Sequence, residues 1–146
     1  MNNRYIFRGK RKDTKNWVYG NFCRGNERQS LHDSIFVYDC ETQSFDNYDI
    51  IPETVGQCSG LTDKNGKLIF EGDVVKADGY IFIVKFGKCG GVANDENYGY
   101  IGYYLDGFDS MTKKVLRFGL RNDICYFTDI EVIGNIHDDD LLEVGR

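Results

Sequence analysis

Residues 54–75 contain two turn signals separated by a short apolar run, and this arrangement restricts the chain to folds with closely connected strands. Asn65 and Gly66 form the first signal, because both tolerate the positive φ angles of a type I′ hairpin turn. Gly72 and Asp73 form the second, since Gly72 can take a positive φ and the Asp73 side chain can bond the backbone nearby. The segment therefore predicts two tight turns that lead into strands.

Further strand-like runs lie on both sides of these turns. Apolar and aromatic residues at 5–8 and 17–22 flank a polar, basic turn, which predicts a hairpin. Residues 80–86 carry apolar side chains on both faces, as expected of a central strand. The remaining pattern predicts strands at 35–38, 98–105, 115–120 and 129–136, a loop at 40–48 and a turn at 106–107. No sustained helical period occurs, so we predict a mostly β chain with little helix.

Composition favours the same kind of fold. Aromatic residues make up 14% of the chain, and 17 glycines accompany a single proline, a mix typical of short strands and tight turns rather than disorder. A length of 146 residues fits one domain or two small ones. Pro52 cannot occupy a central-strand position, so we place a boundary just after it. This boundary separates a β-rich region at 1–55 from a C-terminal domain at 56–146.

No motif predicts an enzyme, a metal site or a cofactor. The five cysteines are widely and irregularly spaced, so we expect reduced thiols in a cytoplasmic protein. His32 and His137 could pair with Cys40 and Cys125, but nothing local would activate either thiol. Three consecutive acids at 138–140 point in different directions and cannot converge on one ion. We therefore predict no catalytic, cofactor-binding or metal-binding residues.

No segment predicts a membrane partner. The longest apolar run, residues 81–84, is far too short to span a bilayer. Residues 1–15 lack the apolar core of a signal peptide. We accordingly expect a protein that stays in the cytoplasm and does not bind membranes.

Charge is divided unevenly along the chain. Residues 1–28 carry eight basic and two acidic side chains, whereas the remaining residues carry ten basic and 21 acidic ones. A basic end on an acidic body is compatible with an intramolecular contact, a head-to-tail oligomer, a small anionic-ligand patch or a solvated surface. The plentiful aromatic residues favour protein interfaces, where a large ring with a polar tip is useful, although such rings can also line a core.

The basic side chains concentrate at the turn of the N-terminal hairpin. Arg8, Lys10, Arg11 and Lys12 lie there, and Trp17 follows the turn. We predict that these five residues form an interaction surface for a protein partner or for a second copy of the chain. Nucleic acid is the alternative, because basic and aromatic residues together can bind phosphates and bases. The sequence pI of about 5.0 argues against that alternative.

Several stretches of the chain resemble, in order, the pattern of one known family. They are residues 7–10 with 17–20, residues 52–57 with 60–67, residues 69–75 and residues 131–136. On these residues the chain resembles the YopX family of phage and prophage proteins. The resemblance implies a β-rich fold in which the N-terminal hairpin region packs on a C-terminal SH3-type barrel or roll. It also implies a phage or prophage origin and a bacterial cytoplasmic location, but no particular activity.

These observations together give a functional hypothesis. We expect a non-enzymatic phage or prophage accessory protein that needs no cofactor. It would bind a protein partner or associate with itself, and the alternative is a nucleic-acid-binding SH3-like barrel that uses the basic hairpin. The identity of the partner and the oligomeric state do not follow from the sequence.

Overall fold

The protein is described here by a computed structural model, which covers residues 3–29, 31–89, 100–120 and 127–138. These residues form strands joined by turns, with short 3-10 helices at Asn3–Tyr5, Glu27–Gln29 and Pro52–Thr54. The predicted mostly β fold with little helix is therefore confirmed. The chain divides into two compact units, Met1–Gly60 and Leu61–Arg146. The boundary falls after the 3-10 helix that contains Pro52, within a strand, whereas the sequence placed it just before that strand.

The first unit contains five antiparallel strands. They are β1 (Phe7–Lys10), β2 (Trp17–Cys23), β3 (Ser34–Asp39), β4 (Ser44–Asp49) and β5 (Gly56–Thr62). They lie in the order β4-β3-β2-β1-β5, and the predicted N-terminal hairpin is the pair β1 and β2, in which Phe7 faces Gly20. The loop predicted at 40–48 is confined to the turn at residues 40–43, and the prediction is wrong for residues 44–48, which belong to β4. Six paired residues hold β4 against β3, so pairing overrides the weak strand preference of its Asp and Asn residues.

Two fully buried isoleucines mark the interior of this unit. Ile35 lies on β3, and Ile50 follows β4, where it forms an isolated bridge with Arg11 just beyond β1. Gly9 packs directly on Ile50, because a Cβ atom at position 9 would lie 2.9 Å from the Ile50 Cδ1 atom. The end of β4 therefore returns to the end of β1, and the hairpin turn is held close to both strands.

The second unit contains the last part of β5 and six further strands. They are β6 (Leu68–Phe70), β7 (Asp73–Ala77), β8 (Tyr80–Cys89), β9 (Tyr100–Asp109), β10 (Lys114–Gly119) and β11 (Glu131–Asn135). β6 neighbours β5, and the other five form an antiparallel sheet in the order β10-β9-β8-β7-β11. β8 is central in this sheet, as its apolar pattern predicts. Residues 98 and 99 of the predicted strand at 98–105 lie outside the described residues.

The described strands of the second unit do not close into a barrel. Closure would require the edge strands β10 and β11 to pair, but β10 pairs with β9 and β11 pairs with β7. The sheet therefore stays open over the described residues, and the SH3-type barrel implied by the resemblance is not confirmed. Its core is formed by Ile69, Val75, Ala77, Phe82, Val84, Leu105, Leu120 and Ile130.

Both predicted turns of residues 54–75 are present, although one differs in type. Gly66 and Gly72 take φ angles of 79° and 87°, as their positions require. Asn65 does not share the positive φ, so the first turn is not type I′. Instead, the Asp63 carboxylate accepts hydrogen bonds of 2.9 Å from the backbone amides of Asn65 and Lys67. A buried carboxylate thus shapes this turn.

The turn predicted at 106–107 is absent, because both residues lie inside β9. Asp106 is held on this strand by ion pairs with Lys85 on β8 and Arg117 on β10. Gly107 lies under the ring of Phe82, and a Cβ atom there would approach Phe82 Cδ1 to 2.5 Å. Cross-strand contacts therefore hold Asp106 and Gly107 in a strand, although this pair of residues is typical of a turn.

Candidate interaction surface

The predicted interaction residues of β1 are held against Trp17. Register places Lys10 opposite Trp17 and Arg8 opposite Tyr19, so the four side chains share one face of the hairpin. The Arg8 guanidinium carbon lies 4.6 Å from the centre of the Trp17 ring, and the Lys10 Nζ atom lies 5.4 Å from it. Only 5% of the Arg8 surface is exposed. Arg8 therefore supports the hairpin from within, whereas Lys10 and Trp17 remain partly accessible.

The Arg11 side chain is fixed by two neighbours. Its Nε and Nη2 atoms donate to both carboxylate oxygens of Asp13, over 2.9 and 2.6 Å. Its guanidinium carbon also lies 4.3 Å from the centre of the Tyr48 ring. The hydrogen bond with Asp13 raises the pKa of Arg11, and the same bond lowers the pKa of Asp13. The positive charge of Arg11 is thus balanced by Asp13, and its orientation is fixed by Asp13 and Tyr48.

Lys12 is the most accessible of the predicted residues. Its side chain is exposed, while its backbone amide donates to the Asp49 carbonyl over 2.9 Å. Lys15, which has a φ of 61°, turns its Nζ atom back to the Lys12 carbonyl at 2.8 Å. The hairpin turn is therefore folded against the end of β4, and the structure gathers all five predicted residues around one short stretch of chain.

A groove opens where β2 and β3 separate from each other. Within the described residues, β3 pairs with β2 at Asn21, Phe22 and Cys23, whereas the preceding half of β2 pairs with β1. β3 pairs with β4 along its whole length. The first half of β2 and the last half of β3 consequently belong to two different hairpins. This is the region in which a ligand could contact both.

The aromatic groove, as we call it, is shallow and has a volume of about 450 Å³. Three rings and two valines supply most of its lining, which comprises Arg11, Asn16, Trp17, Val18, Tyr19, Val37 and Tyr48. A second depression, the polar groove, shares Arg11 and Tyr48 with it. The polar groove also includes Lys12, Asp13, Asn47 and Asp49. The Arg11–Tyr48 contact therefore forms the wall between an apolar and a polar recess.

Sequence reasoning found Arg11, Lys12 and Trp17 in these grooves but missed the residues that complete them. Tyr19 was assigned only to a strand, and Tyr48 only to a loop. The alternation of residues 17 and 19 in β2 could have placed Trp17 and Tyr19 on one face. Nothing in the sequence shows that Tyr48 meets Arg11, because that contact depends on the return of β4 to β1.

Exposed aromatic residues also occur outside the grooves. The rings of Tyr38 and Phe45 lie 4.8 Å apart on paired positions of β3 and β4. Tyr38 is 51% exposed, close to the 48% of Tyr19, but Tyr38 lines neither groove. In the second unit, Phe108 and Val115 face each other on β9 and β10 and are also exposed. Exposure alone therefore does not single out the groove residues.

The described residues offer no metal site. No group of three or more His, Cys, Asp or Glu side chains lies close enough together, within residues 3–29, 31–89, 100–120 and 127–138, to hold an ion. Cys23 and Cys40 are exposed thiols, and Cys58 is a buried one. Cys125 lies outside the described residues, as do two acids of the run at 138–140. The same described ranges contain no helix that is long and apolar enough to cross a membrane.

Comparison with known proteins adds one positive finding. A family model described as YopX protein matches residues 6–143. The chain belongs to the YopX family. No curated protein matches this YopX-family chain, and no solved structure matches it either. The family match covers both units, so the grooves of the first unit lie within the matched part of the sequence.

Proposed function

We propose that this YopX-family chain is a non-enzymatic accessory protein of phage or prophage origin, and that it binds a protein through the aromatic groove. The observation that supports this proposal is the composition of the groove walls. Trp17, Tyr19 and Tyr48 supply large rings with polar tips, and Val18 and Val37 add apolar groups to the lining. Such a surface suits the apolar and aromatic side chains of a protein partner.

The electrostatics of the turn favour a protein over a nucleic acid. A nucleic acid needs several cations that neutralise successive phosphates. Here Arg11 is already paired with Asp13, and Asp49 lines the same polar groove. Arg8 is buried beneath Trp17. The remaining exposed cations are interspersed with carboxylates, a mixture that matches the rim of a protein interface better than a phosphate track.

Capture from host cells tests this proposal with a matched pair of variants. Tyr19→Ala removes a groove residue, whereas Tyr38→Ala removes an equally exposed tyrosine outside the groove. We expect wild type and Tyr38→Ala to recover the same protein, and Tyr19→Ala to recover about tenfold less, because truncating an interface aromatic costs more than about 1 kcal/mol. Nuclease treatment should not change the yield. Equal recovery by all three proteins would contradict the proposal.

Nucleic acid is the second candidate function. The close approach of Lys10 to Trp17, with Tyr19 on the same face of the hairpin, favours this candidate, because single-stranded nucleic acids bind where cations flank aromatic rings. Recovery that disappears after nuclease treatment would support this candidate and reject protein binding. The same capture experiment therefore distinguishes the two functions.

A further inference from the structure

We infer that the ligand of the aromatic groove is the acidic and apolar segment 138–144 of a second copy of this chain. This inference rests on the proposed function, because it names the partner of the same groove. The segment reads Asp-Asp-Asp-Leu-Leu-Glu-Val. It combines four carboxylates with three apolar side chains, which are the two kinds of group that the groove and its rim can accept.

The charges of the two surfaces are opposite. The cations that remain at the hairpin turn are Lys10, Lys12 and Lys15, against Asp49, because Arg11 and Asp13 balance each other. The segment carries Asp138, Asp139, Asp140 and Glu143 and no basic residue. Opposite potentials steer association and fix the orientation of a bound segment. The carboxylates that follow Asp138 would therefore lie along the turn and the polar groove.

The apolar side chains of the segment match the other recess. The segment begins with its acidic residues, and its apolar residues follow as Leu141, Leu142 and Val144. An acidic part and a mostly apolar part therefore adjoin along the segment. The aromatic groove and the polar groove likewise adjoin, because Arg11 and Tyr48 line both. Leucine side chains fill a shallow recess between Trp17, Tyr19 and Val37 without leaving a polar group unpaired. The two surfaces are thus complementary in charge and in polarity.

The starting point of the segment is fixed in the second unit. Asp138 accepts a hydrogen bond of 3.1 Å from the Asn135 amide, and its own amide donates to the Asn135 carbonyl at 3.1 Å. Asn135 ends β11. Residues 139–146 follow Asp138 in the sequence and lie outside the described residues. Each copy therefore offers a groove in one unit and a segment in the other, which is a head-to-tail arrangement.

Trp17 makes the inference directly measurable, because it is the only tryptophan of the chain and lines the groove. We would record Trp17 emission and sedimentation of the full chain over a series of protein concentrations. The expected result is that both change together as the concentration rises, and that both changes weaken at high salt. A synthetic peptide of residues 138–146 should compete and return the chain to monomers.

Two variants of the full chain complete the experiment. Leu141→Ser/Leu142→Ser should abolish both concentration-dependent signals, whereas Met111→Ser, at a 90% exposed position outside the grooves, should leave them unchanged. Association that persists in the double variant would overturn the inference. The inference would also be overturned if Trp17 emission differed between wild type and the double variant but did not change with protein concentration. The segment would then bind within one molecule.

Failure of this inference differs from failure of the proposed function. One possible result is that the full chain stays monomeric, while Tyr38→Ala captures a protein that Tyr19→Ala does not. The groove would then bind a different protein, and only the inference would be rejected. If the chain is monomeric and the two tyrosine variants capture the same proteins, both fall.

Discussion

Gly20 on β2 touches the backbone of Phe36 on β3, so closely that a Cβ atom at position 20 would lie 2.2 Å from the Phe36 carbonyl oxygen. The same atom would lie 3.1 Å from the Cγ2 atom of the buried Ile35. Gly20 is the last residue of β2 that pairs with β1, and the next residue begins the pairing with β3. The absence of a side chain at position 20 thus lets β2 and β3 approach closely at this point.

The contact predicts a large effect of a small substitution. Gly20→Ala should lower the free energy of unfolding by about 3 kcal/mol, because neither the Phe36 backbone nor the buried Ile35 can move away cheaply. Gly79→Ala is the control, since Gly79 has open space around it and only its φ of 80° opposes a side chain. That variant should lose about 1 kcal/mol. Equal losses in denaturant titrations would contradict the packing described here.

Asp63 predicts how stability depends on pH. Burial alone would raise its pKa, but hydrogen bonds from the amides of Val132, Lys67 and Asn65 outweigh burial and lower it. Because the folded pKa lies below the unfolded value, the carboxylate stabilises the fold above about pH 4. This contribution is lost as the pH falls through the lowered folded pKa. Stability should therefore decline in acid below about pH 4.

Asp63→Asn tests that account. The amide cannot replace a carboxylate that accepts three backbone hydrogen bonds, so we expect a loss of about 2 kcal/mol at neutral pH and a smaller decline in acid. Asp46→Asn removes the same charge from an exposed position on β4 and serves as the control. The test is to measure the free energy of unfolding of wild type and both variants at several pH values. An acid decline as steep in Asp63→Asn as in wild type would show that other carboxylates cause it.

Asp106 predicts a salt-dependent contribution to the second unit. Burial opposes its ionised form, but bonds from Lys85 and Arg117 prevail and lower its pKa. Both cations are about half exposed, so their contribution is screened by water, and Asp106→Asn should cost only about 0.5–1 kcal/mol. The loss should shrink further at high salt. A loss that is independent of salt would point to packing instead of charge.

The charges at the hairpin turn predict weak binding of nucleic acid. At about 50 mM salt, where phosphate contacts are strong, we expect no mobility shift with single-stranded DNA or RNA. A shift that disappears in Lys10→Ala/Lys12→Ala would favour the nucleic-acid function over the proposed one. These two lysines are the appropriate choice, because Arg8 is buried and Arg11 is bound to Asp13.

Much of the β architecture follows from local patterns, while the groove does not. The hairpin at 5–22 and the central strand at 80–86 were predictable, because their apolar residues recur with strand periodicity. β4 was missed, since Ser44–Asp49 has few strand-forming residues and is held by its six pairs with β3. Arg8 was expected on the surface, but its position beneath Trp17 depends on cross-strand register. Local patterns predict periodicity, whereas the groove depends on where two hairpins separate.

Hydrogen exchange tests the central claim, that the aromatic groove is the binding surface, most directly. Exchange would be compared between the free chain and its complex with the captured protein. The account predicts slower exchange of backbone amides around Trp17–Tyr19 and around Val37 and Tyr48 in the complex, with little change in β8, β9 and β10. Slower exchange confined to the strands of the second unit, with the groove amides unchanged, would contradict it.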